Sequence, residues 1–258
     1  MNNKSNFFNS NKIKSRIVTA AANAQEGHIP SALSILDIVW VLYNKVMKFN
    51  DKPFQSDRFV LSKGHASLAI YAVLEDCGLI PSSYFEDFCE YDSKLGGHPD
   101  CNKISYIEAS TGSLGHGMPM ALGMALAAKI KKNTNKVFCL IGDGECNEGT
   151  IWETAMLASH HKLSNFTCIV DYNHSTDRAL DLGDISSKFS SFGWESIIVD
   201  GHNHEELISE LLKDRSAPFA LVCETIKGYG IKRMESQPSW HHKSPTQEEL
   251  DEILQELI

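Results

Sequence analysis

Short apolar runs alternate with helical segments along this chain, and that alternation is the feature that most restricts its fold. Five runs are largely or wholly apolar, at residues 59–61, 136–141, 166–171, 195–199 and 219–223. Strands that are apolar on both faces are typical of parallel sheets, because crossover helices cover both sides of such a sheet. The sequence therefore predicts an α/β fold with a parallel sheet covered by helices on both faces.

The intervening segments carry the helical period, with apolar residues three and four positions apart. Helices are predicted over about 12–25, 33–47, 66–77, 116–132 and 149–161, with Gly27-His28-Ile29-Pro30 separating the first two. No internal repeat and no linker rich in Pro, Gly or Ser divides the chain, which favours a single domain over residues 12–258. The polar, Asn-rich residues 1–11 are predicted to form a flexible tail.

Charge and hydropathy argue against two classes of partner. The 24 Lys and Arg against 33 Asp and Glu give a net charge of −9, without the basic face that a nucleic-acid-binding protein uses to displace phosphate counterions. The longest uninterrupted apolar runs, Ile38–Tyr43 and Val137–Ile141, are far shorter than the roughly 20 residues that cross a bilayer. We therefore expect neither a nucleic-acid partner nor a membrane span.

The seven cysteines are odd in number, widely spaced and free of any Cys-x-x-Cys pair. This pattern favours a reduced compartment, taken here as the cytoplasm, over a disulfide framework or a structural zinc site. The N-terminus also lacks the basic, apolar and small-residue regions of a secretory signal. Four histidines (His160, His161, His202 and His204) are interpreted as surface or packing residues, because no thiol or carboxylate stands near them at zinc-ligand spacing.

Two polar motifs follow neighbouring predicted strands. Gly142-Asp143-Gly144 comes directly after one strand, and Asn173 ends the next, thirty residues past Asp143. Because ligands collect outside the carboxyl ends of parallel strands, both motifs point to one crevice. Glycines let backbone N–H groups approach a diphosphate, and carboxylate and amide oxygens are hard ligands for Mg²⁺. Gly-Asp-Gly alone is usually only a turn. Its pairing with Asn173 is what favours a metal and diphosphate site.

This pair resembles the thiamine diphosphate-binding motif, in which Gly-Asp-Gly precedes Asn by about thirty residues. Further segments occur in the order and approximate spacing of the N-terminal half of transketolase, over about residues 12–255: Gly27-His28, Ser62-Lys63-Gly64-His65, His98-Pro99, Thr111–Gly115, 142–149, Asp171-Tyr172-Asn173, Lys227–Gly230 and Trp240-His241. The chain is thus similar to the N-terminal subunit of a split transketolase. The implied cofactors are thiamine diphosphate and Mg²⁺, with Ca²⁺ or Mn²⁺ as alternatives.

The resemblance implies roles residue by residue. Asp143, Asn173 and the backbone carbonyl of Ser175 match the metal ligands. The matching cofactor-binding residues are His65, Gly112, Leu114, Gly144, Glu148, Asn173 and His241. The matching catalytic residues, which surround the donor ketose and move protons, are His28, His98 and His241. Glu148 and Glu153 also resemble acidic residues at the interface between catalytic domains.

The implied chemistry fits these residue types. Cleaving a carbon–carbon bond beside a carbonyl leaves a carbanion that a cofactor, and no side chain, can delocalise. Imidazoles, with an ordinary pKa near 6.5, exchange protons with sugar hydroxyls at neutral pH. For each histidine alone, a capping or packing role is the simpler interpretation, and only the surrounding pattern favours catalysis.

The family's activating glutamate lies on a pyrimidine-binding domain beyond the segment matched here. The resemblance therefore implies a separately encoded C-terminal subunit that supplies this glutamate, in a heterotetramer with two copies of each chain. The predicted activity is transfer of a two-carbon ketol unit from a ketose or ketose phosphate to an aldose.

Several positions depart from the family pattern. Ile29 and Ser113 stand where the family commonly has proline, and His242 stands where glycine is frequent. His174 follows the metal-site asparagine in place of glycine, so it is predicted to take a positive φ that is uncommon for other residues. These departures keep open a related enzyme that acts on an unusual sugar, such as a branched or surface-polysaccharide sugar. A 2-oxo acid donor and a non-catalytic binding module are further alternatives.

Overall fold

A computed structural model describes residues 8–50, 55–177 and 179–258. Its core is a sheet of five parallel strands in the order β1-β2-β3-β5-β4. The strands are β1 (Arg58–Leu61), β2 (Val137–Gly142), β3 (Phe166–Tyr172), β4 (Glu195–Asp200) and β5 (Phe219–Glu224). All four pairings are parallel, which confirms the predicted sheet.

Helices cover both faces of this sheet. They are α1 (Ser10–Ala24), α2 (Ile29–Val41), α3 (Ser67–Asp76), α4 (Gly117–Ile130), α5 (Gly149–His160), α6 (Ile185–Ser191), α7 (His204–Leu212) and α8 (Gln247–Glu256). Alternate residues of β2 point to opposite layers: Phe138 and Leu140 join the core under α1, α2 and α3, whereas Cys139 and Ile141 join the core under α4 and α5. Strands β2 and β3 are therefore buried on both sides, whereas the edge strand β4 is only partly covered, with Ile198 51% exposed.

Helix α2 begins four residues earlier than the periodicity predicts. The sequence pattern places Ile29 and Pro30 in a break between helices, but both lie in the first turn of α2. A proline is tolerated there because the first turn leaves its N–H groups without an intrahelical partner. With the π-helical turn Leu42–Val46, this run is long and apolar enough to span a membrane, yet 94% of it is buried in the fold, as in a core helix.

The predicted tail falls largely on residues 1–7, which lie outside the described residues. Of its remaining part, Asn9 caps α1, with its side chain accepting a hydrogen bond from the Lys12 backbone N–H at 3.1 Å. Ser10 and Asn11 belong to the helix itself.

Helices α6, α7 and α8 are not predicted from periodicity. Their signals are in the caps: Asp184 and Asn203 accept backbone hydrogen bonds at the starts of α6 and α7. Thr246 and Glu249 form a capping box at the start of α8.

Candidate functional site

A cavity of about 440 Å³ opens at the carboxyl ends of β1, β2 and β3. Lys63 follows β1, Asp143 follows β2, and Asn173 follows β3. Gly142 is in register with Asp171, so the two motifs lie at the same level of the sheet edge. The cavity lining includes ten of the eleven predicted site residues: His28, His65, His98, Gly112, Leu114, Asp143, Gly144, Asn173, Ser175 and His241.

Glu148 is the exception among those eleven. It is exposed, lies outside the cavity lining, and precedes α5. A Cβ built on Gly115 would come within 2.7 Å of its Cβ, so Glu148 packs against the backbone beside Leu114. Glu153, on α5, is also exposed. Both glutamates are therefore placed for contact with another chain, the role that the resemblance implies, rather than for contact with a ligand in the cavity.

Asp143 presents a carboxylate oxygen that nothing in the described part of the chain satisfies. The residue is 5% exposed. Its Oδ1 accepts a hydrogen bond from the Gly144 N–H at 2.8 Å, whereas its buried Oδ2 has no hydrogen-bond partner. Burial, followed by the charge of Asp171, raises the pKa of this carboxyl, and Lys63 opposes that rise. A buried acceptor without a partner is costly, so a cation at Oδ2 would relieve the arrangement.

The amide of Asn173 is oriented by its neighbours. Its Nδ2 donates to Ser34 Oγ and to Asp171 Oδ2, both at 3.0 Å. Because both groups accept hydrogen from the amide nitrogen, Oδ1 is the acceptor end of the amide, and the Ser175 hydroxyl donates to it. That oxygen accepts a hydrogen bond from the Ser175 backbone N–H at 3.2 Å. Asp143, Asn173 and the Ser175 carbonyl are hard oxygen donors that suit Mg²⁺ or Ca²⁺.

The turn after Asn173 confirms one expectation from the sequence. His174 has φ of 60°, in the left-handed region that glycine enters at lower cost. Its ring lies 4.1 Å from that of Tyr172, and its Nδ1 lies 2.7 Å from Asp177 Oδ2. These contacts hold the imidazole on the outer side of the turn and compensate for the unfavourable backbone angle.

A buried ion pair that the sequence does not predict supports both oxygen donors. Lys63, which is 2% exposed, forms an ion pair with the fully buried Asp171. Asp171 Oδ1 also accepts from Ser34 Oγ at 2.7 Å and from the hydroxyl of Thr225. The motif Ser62-Lys63-Gly64-His65 marks this segment, but the ion pair joins residues 108 positions apart, which no local pattern shows.

Glu145 is a second buried carboxylate beside the cavity. It accepts hydrogen bonds from the backbone N–H groups of Gly115 at 2.9 Å and Gly142 at 2.8 Å, and from the hydroxyl of Ser62. Burial raises its pKa, and these hydrogen bonds oppose the rise. Glu145 thus ties the loop before α4 to the ends of β1 and β2.

Five imidazoles, here called the imidazole cluster, line the opposite wall of the cavity: His28, His65, His98, His241 and His242. The ring of His28 lies 5.2 Å from that of His65 and 5.5 Å from that of His241. A backbone hydrogen bond of 3.2 Å, from the His28 N–H to the His241 carbonyl, joins the two loops. His98 lies against Gly112, where an added Cβ would approach its ring to 3.0 Å.

Burial and neighbouring positive charge keep three of these imidazoles neutral. Burial chiefly, with the adjacent histidines and Lys227, lowers the pKa of His28 from 6.5 to about 4. The same causes lower the pKa of His241 to about 4, and burial with Lys63 lowers that of His65 to about 2. Neutral imidazoles at physiological pH are able to accept protons.

Lys227 is a site residue whose position the sequence does not reveal, although its motif is recognisable. Its Nζ lies 2.7 Å from His241 Nδ1 and 3.3 Å from Ser175 Oγ. Burial, followed by the charge of Lys63, lowers the pKa of Lys227 to about 8. The two lysines place positive charge between the oxygen donors and the imidazoles, where an anionic group such as a diphosphate would be attracted.

A second histidine group, here called the Asp37 clamp, joins Asp37 on α2 to His202, which precedes α7, and to His204, the first residue of α7. Asp37 accepts from His202 Nδ1 at 3.0 Å and lies 2.7 Å from His204 Nε2. The Nε2 of His202 accepts the Ile226 N–H at 3.0 Å, so its proton resides on Nδ1. The clamp thereby fixes the residue before Lys227. His202 and His204, interpreted from the sequence as surface or packing residues, are partly buried and pair with a carboxylate distant in the chain.

Comparisons with known proteins agree with this geometry. A family model described as "Transketolase, thiamine diphosphate binding domain" matches residues 8–257. One of the subunits of apulose-4-phosphate transketolase from Phocaeicola vulgatus is 36% identical, over 96% of this chain and 92% of that protein. Human transketolase is also 36% identical, over 96% of this chain and 41% of its own length.

Solved structures show the same relationship. The crystal structure of transketolase from Campylobacter jejuni superimposes with a TM-score of 0.86 at 27% identity, covering 96% of this chain and 41% of that one. The chain therefore spans nearly all of the Phocaeicola vulgatus relative, but about two-fifths of the full-length enzymes.

Proposed function

The chain belongs to the family of transketolase thiamine diphosphate-binding domains, and from that premise we propose that it is the diphosphate-binding subunit of a two-subunit transketolase. The reaction is transfer of a two-carbon ketol unit from a ketose or ketose phosphate to an aldose. One observation carries the proposal: the partly unsatisfied oxygen donors and the neutral imidazoles line a single cavity.

The residues present fit the cofactor and its metal. Asp143, Asn173 and the Ser175 carbonyl would hold Mg²⁺, since Asp143 Oδ2 lacks a partner and Asn173 Oδ1 is oriented by its amide contacts. Gly144 leaves open space where a side chain would stand, so its backbone is accessible to a diphosphate. His65 and Lys227 would face the same anion. Gly112 and Leu114 would contact the cofactor's ring system.

Bound thiamine diphosphate supplies an electron sink for the carbanion that forms when the bond beside the ketose carbonyl breaks. The chain's own residues supply position and proton transfer. His28, His98 and His241 line the cavity, and neutral His28 is able to take a proton from a donor hydroxyl. Lys227 donates to His241 Nδ1, so the other ring nitrogen, Nε2, carries the proton and would donate a hydrogen bond to an oxygen of the sugar.

A partner chain is part of this proposal. Two of the bacterial relatives are named as individual subunits of a transketolase, which supports a separately encoded second subunit here. We propose that this subunit supplies the activating glutamate and that two copies of each chain form a heterotetramer. The seven cysteines are all free thiols, in keeping with a cytoplasmic location.

The donor is the point on which the alternatives differ. A cavity wall of five imidazoles suits a polyhydroxylated donor, since each ring can exchange hydrogen bonds with a hydroxyl. A 2-oxo acid such as pyruvate offers no such hydroxyls. The names of two relatives point to apulose 4-phosphate as one sugar to test.

The test is a coupled assay of this chain with and without the neighbouring subunit, in thiamine diphosphate and Mg²⁺. We expect turnover with xylulose 5-phosphate, little with pyruvate, and none from this chain alone. Calorimetry should show cofactor affinity in the complex that depends on Mg²⁺. Turnover of a few per second by the isolated chain would contradict the split architecture, and metal-independent affinity would contradict the proposed site.

A further inference from the structure

Three histidines of the imidazole cluster converge more closely than proton transfer alone requires. One ring nitrogen from each of His28, His241 and His242 lies within 4.8 Å of the other two. The His242 ring is 4.5 Å from that of His28 and 4.4 Å from that of His241, in edge-on arrangements. Small side-chain rotations would bring the nitrogens to the separation of ligands around one ion, about 2.0–2.1 Å from its centre.

Two of the three imidazoles have no competing hydrogen-bond partner in the described part of the chain. The rings of His28 and His242 form no hydrogen bond with residues 8–50, 55–177 or 179–258. Their contacts are with neighbouring imidazole rings. His241 accepts a hydrogen bond from Lys227 at Nδ1, so its Nε2 carries the ring proton. Ligation through Nε2 therefore releases that proton to solvent, while the shared proton moves from Lys227 Nζ to Nδ1. Burial keeps the pKa values of His28 and His241 near 4, so both are neutral, as metal ligation requires.

The backbone holds this arrangement in place. Gly27 lies against the backbone of His242, where a Cβ would approach the carbonyl carbon to 2.6 Å. The His28 N–H also donates to the His241 carbonyl at 3.2 Å. His28 itself has φ of 65° at the start of α2. Two chain segments more than 200 residues apart are thus fixed so that their imidazoles meet.

We propose that His28, His241 and His242 form a second metal site, selective for a late first-row divalent ion such as Zn²⁺. Three imidazoles suit Zn²⁺, Ni²⁺ or Cu²⁺, whereas Mg²⁺ prefers oxygen. One cavity would therefore contain two sites of opposite ligand chemistry. His242 is exposed at the cavity mouth and leaves a fourth coordination position for water.

An ion at this site would inhibit the enzyme reversibly, a consequence that rests on the proposed function. Coordination occupies the ring nitrogens that would otherwise exchange protons with the donor. The positive charges of Lys63 and Lys227 oppose the ion, whereas Asp143 and Asp171 partly offset them. The metal site itself does not depend on the reaction, so its test needs no activity.

The experiment titrates the full chain, without thiamine diphosphate, with Co²⁺ and with Zn²⁺. Co²⁺ binding is followed by its visible absorption, and Zn²⁺ binding by calorimetry against a Mg²⁺ control. We expect one tightly bound ion per chain. His242→Asn and His28→Asn should each weaken Zn²⁺ binding by about 10- to 100-fold, since even the loss of outer partners of a metal site costs that much. Circular dichroism checks that the variants fold.

The matched control is His160→Asn. His160 and His161 form a pair with ring centroids 5.0 Å apart, at the end of α5 and outside the cavity lining. This variant should bind Zn²⁺ as the original chain does. The proposal is overturned if no ion binds, if either cavity variant retains full affinity, or if His160→Asn removes the binding. None of these results would bear on cofactor binding or turnover, which the coupled assay measures separately.

Discussion

The imidazole cluster and the Asp37 clamp differ in what faces their histidines. The cluster meets lysines and other imidazoles, and no carboxylate lies within hydrogen-bond distance of its rings in the described ranges. In the clamp, both rings face the buried carboxylate of Asp37. A histidine facing a carboxylate is fixed and stabilising, whereas one held neutral among cations keeps a lone pair available for chemistry. This electrostatic difference favours a structural role for the Asp37 clamp and a chemical role for the imidazole cluster.

The largest expected effect is a loss of kcat when a histidine of the imidazole cluster is replaced. In the complex with the proposed partner subunit, His28→Asn should lower kcat by about 10²- to 10⁴-fold, the range that general acid–base catalysis contributes. Its midpoint of thermal unfolding should change little, because the ring forms no hydrogen bond with the described residues. His204→Asn, in the clamp, is the matched control and should retain kcat. A loss of kcat in the control equal to that in His28→Asn would refute the distinction.

The next effect concerns the buried ion pair between the two groups. Lys63→Met leaves the carboxylate of Asp171 buried without its cation, and we expect a loss of about 3–5 kcal/mol in the free energy of unfolding. Urea denaturation measures it. Lys227→Met is the control: its ammonium is hydrogen-bonded to His241 and Ser175 and forms no ion pair with the described residues, so stability should change far less. Equal losses in both variants would show that the ion pair between Lys63 and Asp171 does not contribute more to stability than the contacts of Lys227.

A smaller effect tests the clamp. Asp37→Ala removes the acceptor of both histidines, and we expect a loss of about 1.5–3 kcal/mol, typical of hydrogen bonds to a charged group. Freed from Asp37, His202 should also hold the Ile226 N–H less firmly, which would raise KM through Lys227 more than it lowers kcat. Asp37→Asn retains one acceptor and should recover part of both. A stability unchanged in Asp37→Ala would show that the clamp is not structural.

The smallest effect is the pH dependence of stability. The folded chain holds the pKa of His28 and His241 at about 4, below the ordinary 6.5. Between these values the unfolded chain binds more protons, so stability is complete above pH 6.5 and falls as the pH decreases towards 4. The lowered pKa of Asp37 affects stability only at lower pH, because the stabilisation from this carboxylate is lost as the pH falls below its ordinary pKa of 3.8. Thermal unfolding from pH 7 to 4.5 should show a shallower decline in His28→Asn than in the original chain, and parallel curves would contradict this assignment.

Much of the fold could be predicted because its signals are local. Apolar runs at β2 and β3 and helical periodicity at α4 and α5 mark elements that are buried on fixed faces. Helices α6, α7 and α8 are not among the predicted helices, although α7 and α8 are amphipathic and bury Leu207 and Leu211, and Leu250 and Ile253. The start of α2 is missed because Pro30 ends most helices but is tolerated in a first turn.

The candidate site divides in the same way. Asp143 and Asn173 follow strands and His28 and His65 precede helices, so local signals place them, whereas His98 and His241 lie in irregular segments and are predicted only from the family resemblance. The pairing of Lys63 with Asp171, of Glu145 with Ser62, and of Asp37 with His202 joins residues far apart in the chain. No periodicity or motif spacing reports such contacts.

The sequence by itself determined which elements form and which residue types follow each strand, because burial and backbone propensity act over a few residues. Only the tertiary structure decided which side chains face one another across the cavity, and therefore which imidazoles are neutral and which are paired. Charge interactions and desolvation depend on distance in space and on exclusion of water. Those quantities exist only once the sheet has brought the ends of its strands together.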